Sequence, residues 1–189
     1  MRLSEPMRAL EEAEGRLTVA FNVLFLCTAN SARSILFAAA LNHVAGDRFR
    51  AYSAGSQPAG FVNPHALAEL SRRGITTADA RSKSWDEFSS DGAPTFHLVI
   101  TVCDSAASES CPVLFGDFVK AHWGLPDPAA VQGDEAAIRT AFRRTADVVI
   151  ARVEALAALP VEAFSVEQLQ CALHEIELKH AAAPLTEVA

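Results

Sequence analysis

Val23-Leu24-Phe25-Leu26-Cys27-Thr28-Ala29-Asn30-Ser31-Ala32-Arg33-Ser34 joins an apolar run to a helical pattern through a short polar loop. The first four residues are continuously apolar, as expected of a parallel strand buried on both faces. Past Ser34, the residues Ile35, Leu36, Ala38, Ala39 and Leu41 follow helical spacing. The N–H groups of the intervening loop therefore converge at a helix N-terminus, where unpaired donors and the helix dipole favour an anion. Thr28, Ala29, Asn30, Ser31, Ala32 and Arg33 become candidate contacts to a tetrahedral oxyanion. The same field predicts a lowered pKa and nucleophilic character for Cys27. Arg33 offers a planar fork for two anion oxygens. The Ser34 hydroxyl offers a donor to the thiolate, and Asn30 a brace inside the loop. A small buried cysteine ending a core strand looks the same in isolation. The strand before it and the amphipathic helix after it favour the anion site.

At 189 residues, half of them hydrophobic and 21% charged, the chain has the composition of a globular domain with a substantial core. No apolar run has membrane-spanning length, and residues 1–8 lack the apolar core of a signal peptide, so the cytoplasm is the expected location. A net charge of −7 leaves no basic face for nucleic acid, and any anion site must be built locally. The cysteines Cys27, Cys103, Cys111 and Cys171 include no Cys-x-x-Cys pair and read as thiols rather than a disulfide scaffold. Cys171 and His174 share a helix face but do not make a structural zinc site, so no metal is expected.

Strand and helix patterns alternate. Strands are expected at Val23–Leu26, Arg50–Ser53, Leu98–Val102 and Phe118–His122. Asn63-Pro64 opens a helix carrying Leu67 and Leu70 and stopped near Gly74. A short helix is expected at Trp85–Phe88. Asp134 caps a long helix that Pro160 ends, and Ser165 with Gln168 makes a capping box for a last helix. Residues 5–14 suggest a short acidic N-terminal helix. This rhythm predicts a three-layer α/β domain with its ligand where strand ends meet helix starts.

A second cluster ends on the same sheet edge. The strand at Leu98 delivers Cys103, followed by the small polar segment Asp104-Ser105-Ala106-Ala107-Ser108-Glu109-Ser110 and then Cys111-Pro112. A flexible segment of that kind would let the two thiols meet by exchange. Further on, Asp127 is held between Pro126 and Pro128, constrained on a loop and available as a general acid. A plain turn explains the same tripeptide. His122 and Trp123 are expected to pack rather than act as ligands.

These residues resemble a known group. The Cys27–Ser34 loop, Tyr52-Ser53-Ala54-Gly55, Val102-Cys103-Asp104 through Cys111-Pro112, and His122-Trp123-Gly124 through Asp127-Pro128 are similar to arsenate reductases built on the low-molecular-weight protein tyrosine phosphatase fold. The resemblance implies a four-stranded parallel sheet flanked by helices. It places the catalytic domain at residues 22–158, with short helical extensions at 1–21 and 159–189. It further implies that Cys27 attacks arsenate, that Arg33 and the loop stabilise the oxygens, and that Asp127 protonates the departing oxygen. Cys103 would then displace arsenite by forming a Cys27–Cys103 disulfide, and Cys111 would take it over as Cys103–Cys111. No cofactor is implied; the partners are arsenate and a thiol reductant, either thioredoxin or glutathione with glutaredoxin.

The chain departs from that pattern at several positions. Ala29 stands for the usual loop glycine and Ala32 for an additional loop cysteine. Ala38 and Ser84 stand where some relatives carry acidic potassium ligands, so bound potassium is not expected. The Cys103–Cys111 interval is one residue longer than in thioredoxin-coupled enzymes, which leaves the reductant open. The competing expectation is a phosphatase using Cys27, Arg33 and Asp127 on phosphomonoesters. It needs neither Cys103 nor Cys111, and Ala129 stands where such phosphatases carry an aromatic. An inactive anion-binding or thiol-sensing protein is the third.

Overall fold

The computed structural model describes residues 20–90, 92–108, 117–183 and 185. The helix expected at residues 5–14 and the thiol of Cys111 lie outside these. Four parallel strands form one sheet in the order β2-β1-β3-β4: β1 (Phe21–Cys27), β2 (Phe49–Gly55), β3 (Leu98–Thr101) and β4 (Val119–His122). The helices are α1 (Arg33–Ala45), α2 (Pro64–Arg72), α3 (Asp104–Ser108), α4 (Glu135–Ala157) and α5 (Val166–Lys179), with single 3-10 turns at Trp85–Phe88, Pro128–Ala130 and Val161–Ala163.

The alternation of side chains along β1 divides the core. Val23, Phe25 and Cys27 face the main cluster with Phe37 and Leu41 of α1, Phe142, Val149 and Leu156 of α4, and Leu169, Leu173 and Ile176 of α5. Leu24 and Leu26 face the other side, covered among the described residues by Phe88, Phe96 and Val99 with Tyr52 and Trp85 packed on them. The sheet is thus covered on both faces, thickly on one and by aromatic residues and a 3-10 turn on the other.

From β1 the chain crosses to β2 on one side, and β3 then returns to β1's other side. The strand order reverses between β1 and β3, the point at which open α/β sheets leave a crevice beyond their strand ends. Leu26 pairs with Thr101, and the Val102 N–H donates to the Leu26 carbonyl at 2.8 Å, so Cys27 and Cys103 leave the sheet side by side. The segment after Cys103, expected to be flexible, forms the short helix α3 over Asp104–Ser108.

Candidate active site

The loop after β1 is shaped by its carbonyls. Those of Cys27, Thr28, Ala29 and Ser31 accept from the N–H groups of Ser56, Gln57, Ala59 and Asn63 at 3.3, 3.0, 2.9 and 2.8 Å. In a planar trans peptide the following N–H points the opposite way, so those of Thr28, Ala29, Asn30 and Ala32 are turned from the 56–63 segment. The Asn30 N–H lies 3.1 Å from the Cys27 sulfur. Asn30 adopts φ 44°, in the left-handed region that Asn tolerates better than most side chains. Ala29, in the place of a glycine, has no positive φ; among described non-glycine residues only Asn30 does.

Asn30 is fully buried and acts as a hub. Its Oδ1 accepts from the Lys83 N–H at 2.8 Å, which fixes the amide so that Nδ2 donates to Ser34 Oγ at 2.9 Å. Ser34 Oγ lies 2.9 Å from Cys27 Sγ, its own proton free to point at the sulfur. Composition and spacing gave no hint of the outer frame made by Ser82, Lys83 and residues 56–63. Ser82 donates to the Ala29 carbonyl, and Gly55 must be glycine because a Cβ there would collide with the Thr28 carbonyl oxygen.

The expected lowered pKa of Cys27 is not what this geometry produces. The thiol is 3% exposed, and burial pushes it above its ordinary value. The hydrogen bonds from Ser34 and Asn30 pull it back, the nearby Cys103 adds to the rise, and burial wins.

Arg33 also differs from expectation. Both arms of its fork are engaged with the acid loop: Nη1 donates to the Leu125 carbonyl at 2.8 Å and Nη2 to Asp127 Oδ2 at 2.9 Å. The other oxygen of Asp127 accepts from the Ala129 N–H at 3.1 Å and caps the turn at Pro128–Ala130. Arg33 and the candidate acid Asp127 are thus paired with each other.

Cys103 is 3% exposed, with its sulfur 3.7 Å from the Thr28 hydroxyl. It borders a groove with Thr28, Ala29, Arg33 and Asp127. His122 was expected to pack; instead it lines this groove, with Nδ1 2.8 Å from Thr101 Oγ1 and Nε2 3.2 Å from Asp104 Oδ1. Trp123 does pack, with no exposed surface. Glu177 of α5 also lines the groove, and only the tertiary fold brings it there. Cys171 is exposed on α5, outside the groove. Among the described residues no group of three or more His, Cys, Asp or Glu side chains is placed to hold a metal ion.

A thiol in a cradle of N–H groups at a helix start, beside a paired arginine and carboxylate, defines a cysteine-dependent oxyanion-handling site. The chain belongs to the low molecular weight phosphotyrosine protein phosphatase family, whose profile matches residues 22–170. Within it, the chain is 35% identical to arsenate reductase 1 of Staphylococcus epidermidis over 135 residues, covering 71% of this chain and 94% of that protein. The solved arsenate reductase of Archaeoglobus fulgidus superposes with a TM-score of 0.52 at 32% identity, covering 70% of this chain and 98% of that one. A thioredoxin-dependent arsenate reductase of Corynebacterium glutamicum gives 0.53 at 27% identity, covering 79% and 67%.

Proposed function

We propose that this protein reduces arsenate to arsenite through thiol chemistry at Cys27 and Cys103. One observation carries this choice over phosphate-ester hydrolysis: a second buried thiol, Cys103, opens onto the oxyanion groove beside the loop of Cys27. Hydrolysis has no use for it. The named arsenate reductases among the relatives support the same choice.

Arsenate enters the loop against the N–H groups, and Arg33 exchanges Leu125 and Asp127 for two arsenate oxygens. That exchange frees the Asp127 carboxyl to carry a proton. The Cys27 thiol and dihydrogen arsenate then condense: an S–As bond forms, an As–O bond breaks, and the thiol proton leaves with the departing oxygen as water by way of Asp127. Arsenic stays As(V) in this adduct. Cys103 next attacks the Cys27 sulfur: the S–S bond forms, the S–As bond breaks, and the Cys103 thiol proton passes to an oxygen of the departing arsenic. The electron pair stays on arsenic, which leaves as As(III) while the two sulfurs are oxidised to a disulfide.

Cys111 takes over the disulfide as Cys103–Cys111, and an external dithiol reduces it. Thioredoxin is the first candidate, because a solved relative is thioredoxin-dependent; glutathione with glutaredoxin is the alternative. No helix among the described residues is long and apolar enough to cross a membrane, and we place the reaction in the cytoplasm, where such reductants are kept.

The test is arsenite release from arsenate with each reductant supplied. Wild type turns over, Cys27→Ser releases none, and Cys103→Ser loses multiple turnover. Turnover untouched by Cys103→Ser overturns the thiol relay. Rapid para-nitrophenyl phosphate hydrolysis without arsenite release assigns the site to phosphatase chemistry.

A further inference from the structure

We propose that Arg152, held by the C-terminal end of helix α5, is a positioning residue for the loop that carries Asp127, an inference that rests on the arsenate chemistry proposed above. Arg152 lies on α4 and is 1% exposed. A buried guanidinium is costly unless its donors are satisfied. Here Nη1 donates to the Trp123 carbonyl at 2.9 Å and Nε to the His180 carbonyl at 3.1 Å. His180 is the residue that closes α5, where helix carbonyls lack partners and the dipole is negative. Burial pulls the guanidinium's pKa down, and Glu177, on the last turn of the same helix, supplies the opposing charge.

What Arg152 grips is the root of the acid loop. The Trp123 N–H donates to the Thr101 carbonyl at 2.8 Å, and its indole N–H to the Leu173 carbonyl of α5 at 3.0 Å. Next in the chain, Gly124 passes close beside the side chains of His122 and Asp104, where a Cβ would come within 2.7 Å of His122 Nε2 and 2.9 Å of Asp104 Oδ1. Leu125 then gives its carbonyl to Arg33, and Asp127 gives its carboxylate. A planar fork with two directed donors sets the orientation of the 123–124 peptide, and through it the path to Asp127. The family match ends at residue 170, whereas the Leu173, Glu177 and His180 contacts lie beyond it. The last helix thereby becomes a working part of the site.

The experiment is a double-mutant cycle on arsenate turnover with Arg152→Lys and Asp127→Asn, each variant also melted. Arg152→Lys keeps the charge and loses the fork. Its kcat falls by about tenfold or more while KM moves by less than about twofold, the pattern of a misplaced reacting group. In the Asp127→Asn background the same substitution changes kcat by less than about twofold, because the group being positioned is already gone. An equal fold-loss in both backgrounds, or a lower melting temperature with unchanged kcat, overturns the proposal. If Arg152→Lys does not fold, Arg152→Gln replaces it in the cycle: it removes the buried charge and is too short to bridge the Trp123 and His180 carbonyls, and an unchanged kcat there also overturns the proposal. If wild type releases no arsenite, the arsenate reading itself has failed; the same cycle run on para-nitrophenyl phosphate hydrolysis then decides the role of Arg152 separately.

Discussion

Ser34 stands between two functional atoms, accepting from Asn30 and facing the Cys27 sulfur at 2.9 Å. Ser34→Ala removes the strongest influence holding the thiol down, so the Cys27 pKa rises further. The check is thiolate absorbance near 240 nm against pH in a Cys103→Ser background, where the wild-type loop titrates above the ordinary thiol range and the Ser34→Ala loop higher still. Gly55→Ala drives a methyl group into the Thr28 carbonyl oxygen and displaces the loop. Arsenate turnover should fall by about a hundredfold, since shifts of about 1 Å in reacting groups cost that much. Cys27, Arg33 and Asp127 were singled out by residue type and spacing, and the fold pairs Arg33 with Asp127 beside the loop of Cys27. The direction of the thiol's pKa was not, because desolvation depends on how much of the fold closes over the sulfur.

At the scale of elements, local signals and local structure agree closely. Asn63 caps α2, with its side chain accepting from the His65 N–H, and Asp134 caps α4 through the Ala137 N–H. Ser165 and Gln168 form both halves of a capping box at the start of α5. Ser165→Ala should cost about 1 kcal/mol, measured by urea unfolding, and because α5 carries the His180 carbonyl that Arg152 uses, kcat should also drop modestly. Such caps are legible because their partners are at most three residues away. The edge strand β2 was legible as a strand, yet its protection was not: Asn42 of α1 pairs with both the N–H and the carbonyl of Ala51, at 2.8 and 2.9 Å. The short helix α3 was missed because its small polar residues read as a flexible loop, whereas in the fold Ala106 is buried against the main core.

Across the whole molecule, long-range ion pairs tie the helices to one another. Glu69 of α2 is bound by Arg72 and Arg73, and Arg73 reaches Asp147 of α4 at 2.6 Å. The hydrogen bonds from Arg72, with help from Arg73, hold the Glu69 carboxyl below its ordinary value of 4.5, against burial. A carboxyl depressed on folding adds stability that is present above the unfolded value and lost as pH falls through the folded one. The melting temperature should therefore drop as pH is lowered beneath 4.5, and Glu69→Gln should be less stable at neutral pH with a flatter acid profile, measured by calorimetry across the acid range.

Legible in the chain alone were the alternation of strands and helices, the caps, and the candidate oxyanion loop with Cys27 as its candidate nucleophile. These follow from apolar periodicity and from contacts within a few residues. Long-range packing is what rests Arg33 on Asp127, frames the loop with residues 56–63 and Lys83, walls the groove with His122 and Glu177, and joins the last helix through Arg152 to the loop of Asp127. Each of these contacts spans tens of residues in sequence. They exist because parallel strands bring their ends together at one edge of the sheet, and a directed hydrogen bond across such a distance leaves no periodic trace in the chain.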